Sequence, residues 1–165
     1  MKCSEIITLL EQEYGKEYAC DWDNVGLLAG RSTKEVKKIL LSLDATDEVV
    51  RMAAEGGYDM LITHHPMLFS AIKRVTDQDM NGRRLLELIR NDISYYAMHT
   101  NYDTRGMADL AARLMGLTEC AVLEEVKDGE GIGRVGKLPH PMTLRECGEQ
   151  VKVAYGIPNV RLFGD

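Results

Sequence analysis

Apolar residues recur along the first 117 positions in two patterns, short continuous runs and runs with helical spacing. The segment 4–14 spaces its apolar residues along one face of a helix, with Ser4 as a candidate cap and Gly15 as the stop. The continuous runs are typical of strands that are buried on both faces. They lie at 37–46, 58–66 and 93–103, and segments with helical spacing lie at 46–57, 82–92 and 107–117.

This order of strands and helices predicts the fold class. Repeated pairs of strand and helix are the signature of an α/β fold, in which helices cover both faces of a sheet that contains parallel strands. After residue 120 the pattern changes to a glycine-rich run at 129–138 and then to a helix at 143–156. We therefore expect one α/β lobe over 1–120 and the beginning of a second lobe over 121–165.

Composition excludes several functional classes. The 165 residues are 45% hydrophobic, which suffices for a core, and a net charge of −6 without a cluster of Lys and Arg argues against nucleic acid. Four cysteines lie far apart and form no C-x-x-C motif. The N-terminal segment lacks the features of a secretory signal, and no run is long enough for a membrane span. We expect a cytoplasmic protein that binds neither nucleic acid nor membrane.

Candidate chemistry is concentrated where two predicted strands end. His64 and His65 close the second predicted strand, and His99 and Asp103 close the third. In parallel α/β sheets, ligand sites form outside the carboxyl ends of the strands. If the two strands are neighbours, these side chains converge, so the sequence predicts a site at this edge of the sheet.

Imidazole and carboxylate side chains together are typical of a transition-metal site. Adjacent residues of a strand point to opposite sides, so His64 and His65 are expected to bind one ion each, with Asp103 as the carboxylate ligand. This ligand set suits Zn, Fe, Mn, Co or Ni better than Ca. His99 is either a further ligand or a catalytic group, such as a proton shuttle. His140 lies between two prolines and has no such context.

Three other polar motifs have simpler explanations. The G-x-G-x-x-G match at 131–136 is followed by KLPHPM, which cannot open a helix, so a hairpin is favoured over a dinucleotide site. Asp44 and Asp47 follow the first strand and are alternatives for a further role at the site, although Asp47 is explained equally well as a helix cap. Turn chemistry explains the polar aromatic loop 21–24, with a pocket wall as the alternative.

Five segments of the chain together resemble the NIF-three-like (YbgI-type) family, whose members are often labelled GTP cyclohydrolase I type two homologs. They follow one another along nearly the whole chain: DWDNVGLLAG, LLSLDAT, AAEGGYDMLITHHPMLF, YAMHTNYDTRGMADLAARLMGL and GIGRVGKL. The resemblance implies an α/β fold of two related lobes, a dinuclear metal site, and homo-oligomers that range from a dimer to a hexameric ring.

The resemblance also implies roles for particular residues. His64, His65 and Asp103 match the family's N-terminal metal ligands, whereas the family's C-terminal His-x-x-x-Glu segment has no counterpart in this sequence. We therefore expect a C-terminally shortened chain. Two ions require about five protein ligands between them, so the two divalent ions are expected to be incompletely bound.

Two functional hypotheses follow. The first is a metal-dependent, hydrolase-like protein, in which paired ions activate a water molecule and polarise a small-molecule substrate. The second is a non-enzymatic metal-binding or protein-interaction module with an incomplete site. A metal-free nucleotide-binding protein is a weaker third alternative, because the one glycine motif does not open a helix. No guanine-reading residues are identifiable, so the cyclohydrolase label does not define the substrate.

Overall fold

The structure is a computed structural model that describes residues 1–164. The chain forms two compact units, Met1–Tyr102 and a second unit that begins at Asp103. The elements of the first unit are α1 (Cys3–Glu13), a 3-10 turn (Lys16–Tyr18), β1 (Gly26–Ala29), β2 (Ile39–Ser42), α2 (Asp47–Glu55), β3 (Met60–Thr63), α3 (Met80–Arg90), β4 (Ser94–Ala97) and α4 (Thr100–Tyr102). The elements of the second unit are a π-helical turn (Asp103–Met107), α5 (Ala108–Leu114), β5 (Thr118–Lys127), β6 (Glu130–Lys137) and α6 (Leu144–Tyr155). Within residues 1–164, no helix is both long enough and apolar enough to cross a membrane.

A four-stranded sheet of order β1-β4-β3-β2 forms the centre of the first unit. β2, β3 and β4 are parallel, with Leu40 opposite Leu61 and Leu61 opposite Tyr95. β1 pairs with β4 as an antiparallel edge strand. β1 is absent from the sequence-based prediction because its four residues form too short an apolar run. The strand begins at Gly26, which has a φ of +104°.

Helices cover both faces of this sheet. Successive residues of β3 and β4 point to opposite faces, so each face of the sheet has its own apolar cluster. One cluster joins the two strands to α2 and α3, and its members include Leu61, Tyr95, Ala97, Val50, Ala53 and Leu88. The opposite cluster joins the strands to α1, and its members include Met60, Ile62, Tyr96, Cys3, Ile6 and Leu10. The predicted fold class, an α/β protein whose parallel-containing sheet has helices on both faces, is confirmed.

Side-chain caps define where α2 and α3 begin. Thr46 accepts a hydrogen bond from the backbone N–H of Val49, and Asp79 accepts one from the N–H of Gly82. Asp47, the alternative cap of α2, instead accepts a hydrogen bond from Arg84 of α3. Asp47 therefore joins the two helices that cover one face of the sheet.

The second unit is built on the antiparallel hairpin of β5 and β6. Asp128 and Gly129 form the two-residue turn between these strands, and both have the positive φ that such a turn requires. The G-x-G-x-x-G match lies in β6. The interpretation of this motif as part of a hairpin is therefore confirmed.

The compact units divide at residue 103, whereas the sequence pattern placed the lobe boundary at 120. Arg134 of β6 donates hydrogen bonds to the carboxylate of Asp109 in α5 and to the carbonyl of Thr104. These bonds attach the segment after residue 103 to the hairpin, although its apolar pattern continues that of the preceding strands and helices. The assignment of 1–120 and 121–165 as separate lobes stays a prediction.

Asp59 holds the chain in position where it enters β2. Its carboxylate accepts hydrogen bonds from the backbone N–H groups of Lys37 and Lys38, at 2.7 and 2.9 Å. The bond from Lys37 is the largest cause that lowers the pKa of Asp59 from its ordinary value, and partial burial opposes it. A lowered pKa stabilises the fold above about pH 3.9, the unfolded value, and this contribution is lost as the pH falls through the folded value.

We therefore expect Asp59→Asn to lower the free energy of unfolding by about 1 kcal/mol near neutral pH. Urea unfolding between about pH 6 and pH 3 should show the gap between wild type and variant closing as the pH falls. Asp77→Asn, at an exposed position, is the matched control and should leave the free energy unchanged. A gap that stays constant over this range would contradict the role given to the Asp59 carboxylate.

Candidate metal centre

The carboxyl ends of β3 and β4 lie side by side, and histidines follow both. Thr63, the last residue of β3, is paired with Ala97, the last residue of β4. His64 and His65 continue directly from β3, and His99 follows β4 by two residues. The two strands are therefore neighbours, and the polar residues that follow them leave the sheet at the same edge.

The imidazole rings of His64, His65 and His99 form a cluster. One ligand atom of each residue lies within 4.8 Å of the corresponding atoms of the other two. The ring centroids are 4.9 Å apart for His64 and His65, 5.1 Å for His64 and His99, and 5.6 Å for His65 and His99. This spacing makes the three side chains a candidate group for holding a metal ion.

His64 and His65 turn their rings toward the same site, contrary to the alternation expected of a strand. β3 ends at Thr63, whose hydroxyl donates a hydrogen bond to the carbonyl of His65 at 2.8 Å and so bends the chain. The buried hydroxyl of Tyr95 lies 2.9 Å from the same Thr63 hydroxyl and accepts a bond from the N–H of Met67 at 2.7 Å. Strand alternation does not extend through a bend, so both rings can face one site, and the expectation of one ion for each histidine stays a prediction.

The third predicted strand, 93–103, is shorter than expected. β4 ends at Ala97, and α4 begins at Thr100. The carboxylate of Asp23 accepts hydrogen bonds from both the N–H and the hydroxyl of Thr100, which fixes the first residue of that helix. His99 therefore lies at a junction between strand and helix, where the direction of its ring depends on these tertiary contacts.

Each histidine of the cluster is oriented by an acceptor near its Nδ1 atom. The acceptors are the Met98 carbonyl oxygen for His64 at 2.9 Å, Asp44 Oδ1 for His65 at 2.8 Å and Asp23 Oδ1 for His99 at 3.0 Å. A carbonyl or an ionised carboxylate can only accept, so Nδ1 is the donor in all three contacts. In the neutral ring the lone pair is then on Nε2, the nitrogen that is able to act as a metal ligand.

Asp23 is an important residue of the site that was not assigned this role from the sequence. Its side chain is 0% exposed and accepts hydrogen bonds from His99, Thr100 and the N–H of Asn24. Burial raises the pKa of Asp23, but these hydrogen bonds outweigh burial, so the pKa lies below its ordinary value. The carboxylate is therefore charged and held toward His99. The polar run 21–24 carried this signal, but turn chemistry explains such a run equally well.

The remaining candidate residues have different surroundings. Asp44 belongs to the site through its contact with His65, whereas Asp47 binds Arg84. His140 lies in an exposed loop of the second unit. Asp103 is the first residue of the second unit, and its role as a metal ligand stays a prediction.

A hollow of about 300 Å³ opens beside His65. Its wall includes Asp44, Thr46, Met67 and Arg84. Protein sites for small molecules begin at about this volume and combine apolar walls with a few polar groups. The hollow therefore provides room for a small ligand next to one member of the histidine cluster.

The donor set fits a borderline transition-metal ion. Imidazole nitrogen suits Zn, Cu, Fe and Ni, and a ligating histidine normally donates its other N–H to a carboxylate or a backbone carbonyl. His64, His65 and His99 all meet the second condition. Three protein ligands are also the usual number in zinc sites that keep a coordination position open for chemistry.

Comparison with known proteins identifies the family of the chain. The family model Duf34/NIF3 (NGG1p interacting factor 3) matches residues 1–165. A "GTP cyclohydrolase 1 type 2 homolog" from Clostridium perfringens is 37% identical over 169 residues, an alignment that covers 100% of this chain and 64% of the relative. The chain thus spans slightly less than two thirds of the length of that relative.

Two solved structures share the fold. The Staphylococcus aureus hypothetical protein SA1388 is 29% identical with a TM-score of 0.87, covering 100% of this chain and 68% of that chain. Reduced HcgD from Methanocaldococcus jannaschii is 35% identical with a TM-score of 0.82. The match covers 93% of this chain and 60% of the HcgD chain. Because the family model matches along the full sequence and the fold agrees, the chain belongs to the Duf34/NIF3 family.

Proposed function

We propose that this chain binds a divalent transition-metal ion through the Nε2 atoms of His64, His65 and His99. The observation that supports this most strongly is that one ligand atom of each ring lies within 4.8 Å of those of the other two, and that an acceptor oxygen orients each ring through Nδ1. Asp103 stays the predicted carboxylate ligand. A pair of ions, drawn from Zn, Fe, Mn, Co or Ni, stays a prediction that the family resemblance implies.

We further infer hydrolase-like chemistry on a small molecule at this site. When bound, a divalent ion supplies a Lewis acid that polarises a carbonyl or phosphoryl oxygen. Asp44 and Asp23 hold the rings of His65 and His99 in one tautomer and increase their basicity. In the alternative role predicted for His99, its Nε2 atom accepts a proton from water while Asp23 stabilises the resulting imidazolium.

The name of the relatives supports a reaction class rather than a substrate. "GTP cyclohydrolase 1 type 2 homolog" is the name of the Clostridium perfringens protein, of which this chain covers 64%. We carry over hydrolysis from that name as part of the proposal. We do not carry over guanine recognition, because the sequence contains no residues that identify it.

Hydrolysis by the metal-loaded chain tests this proposal. The purified protein is stripped with a chelator, reloaded with Zn²⁺, Mn²⁺ or Co²⁺, and assayed with p-nitrophenyl acetate, bis-p-nitrophenyl phosphate and GTP. Turnover that requires metal, is lost in the combined His64→Ala, His65→Ala and His99→Ala variant, and persists in His140→Ala is the expected result. Metal binding without turnover would instead indicate the second candidate, a non-enzymatic metal-binding or protein-interaction module.

We also propose that the chain forms homo-oligomers, beginning with a dimer. Within residues 1–164, β2 pairs only with β3, and Leu41 in β2 and Leu43 just after it are exposed. An exposed apolar edge strand is a surface that self-association can cover. Light scattering is expected to yield a mass well above the 18.5 kDa of one chain, and a clean monomer would overturn this part of the proposal. A cytoplasmic location stays a prediction.

A further inference from the structure

Two aromatic rings lie exposed beside the histidine cluster. Trp22 is 60% exposed and Phe69 is 50% exposed, and their rings stack with centroids 5.8 Å apart and an interplanar angle of 30°. Aromatic side chains of this size contribute strongly to binding when they are covered. Two of them exposed at one place therefore mark a surface suited to a ligand.

Neighbouring residues hold this Trp22–Phe69 pair in position. The side-chain N–H of Asn24, two residues after Trp22, donates a hydrogen bond to the carbonyl of Leu68. Leu68 is buried, so Phe69 extends from a fixed point of the chain. A surface that is already ordered loses little conformational freedom when a ligand binds, which favours affinity.

Both rings contact His99 edge to face. The Trp22 and Phe69 centroids each lie 6.2 Å from the centroid of the His99 ring, at interplanar angles of 72° and 76°. A ligand stacked on the pair therefore lies next to the proposed metal ligands. The aromatic pair and the histidine cluster are parts of one continuous surface of the first unit.

We propose that Trp22 and Phe69 form a platform that stacks a flat nitrogen heterocycle of the substrate beside the histidine cluster. This inference rests on the proposed function, because it names the substrate class of the same site. An electron-rich indole face stacks on conjugated rings of many kinds, while the nitrogen atoms at the edge of a heterocycle stay available for polar contacts. A saturated ring of the same size lacks this stacking contribution.

The size of the platform favours a small molecule over a protein partner. Two side chains present far less area than the roughly 800 Å² that each partner buries in a stable protein interface. One heterocycle, by contrast, covers an aromatic face completely. The platform is therefore matched to a substrate ring rather than to a second chain.

Trp22 fluorescence tests the platform directly, because Trp22 is the only tryptophan in the sequence. Adenine and nicotinamide are titrated into the zinc-loaded full chain, with cyclohexanecarboxamide as the saturated counterpart of nicotinamide. We expect saturable quenching of Trp22 emission by both heterocycles and none by the saturated amide. Phe69→Ala is expected to weaken the affinity by about 5- to 150-fold, and Tyr155→Ala, at an exposed aromatic residue of the second unit, to leave it unchanged.

The outcomes separate this inference from the proposed metal function. Zinc content is measured for every variant, and Phe69→Ala is expected to bind zinc as wild type does. Normal zinc binding without saturable quenching, or quenching that Phe69→Ala leaves unchanged, would overturn the platform alone. If the wild-type chain binds no zinc and the heterocycles still quench its Trp22 emission, the platform is supported and the metal proposal is overturned. If Trp22 emission changes with protein concentration and not with added heterocycle, the aromatic pair contacts another copy of the chain. That result would overturn the inference.

Discussion

Replacing His64, His65 or His99 by alanine is expected to weaken Co²⁺ binding by roughly 100- to 1000-fold. Structural zinc sites with four ligands bind with about 10 to 16 kcal/mol, so each ligand contributes about 2.5 to 4 kcal/mol. The three rings should behave alike, because an acceptor oxygen holds each ring through Nδ1, which places the lone pair of each neutral ring on Nε2.

Cobalt titration followed by visible absorption measures these affinities, with circular dichroism to establish matched folding. His140→Ala is the control, since it removes an exposed histidine outside the cluster. A variant of His99 that keeps wild-type affinity would assign His99 to the predicted catalytic role instead of ligation. Wild-type affinity in all three single variants would contradict the metal centre altogether.

Asp23→Ala should lower metal affinity by about 10- to 100-fold even though Asp23 is not a proposed ligand. Its carboxylate fixes the tautomer and direction of the His99 ring, and the alanine variant leaves that ring without its acceptor. The variant also leaves the N–H of Thr100 without a carboxylate partner, so the free energy of unfolding is expected to fall by about 1 to 3 kcal/mol.

Asp21→Ala is the matched control for Asp23, because it removes an exposed carboxylate from the same loop. Asp23→Asn keeps the shape and one acceptor atom, and it should fall between wild type and Asp23→Ala in cobalt affinity. Cobalt titration and urea unfolding are measured on all three variants. If Asp23→Ala loses stability but binds cobalt as wild type does, Asp23 is a structural residue and its positioning role is refuted.

The order of strands and helices was predictable from the sequence, because parallel strands are recognisable as continuous apolar runs, although β3 and β4 are buried throughout and β2 is not. The caps were predictable only approximately: Ser4 lies inside α1, whose N-cap is Lys2, and α2 is capped by Thr46, next to the predicted Asp47. The strand end at Ala97 was not predictable, because the helix that follows depends on hydrogen bonds from Thr100 to Asp23. These residues are 77 positions apart, and no local pattern records such a contact.

The candidate site, like the fold, was predictable from the sequence only in part. Histidines at two strand ends were recognisable because neighbouring strands bring their carboxyl ends together. The shared direction of His64 and His65 was not, since it follows from the bend made by Thr63 and the buried Tyr95 hydroxyl. The acceptor of His99 lies 76 residues away in a loop whose polarity alone does not distinguish a turn from a metal-site partner.

The zinc content of the purified chain is the measurement that tests the central claim most directly. Wild type, His140→Ala and the combined His64→Ala, His65→Ala and His99→Ala variant are loaded with zinc, freed of excess metal by gel filtration and analysed for metal per chain. The account predicts at least one equivalent of zinc in wild type and in His140→Ala, and none in the combined variant. A folded wild type without zinc, or a combined variant that retains it, would contradict the claim.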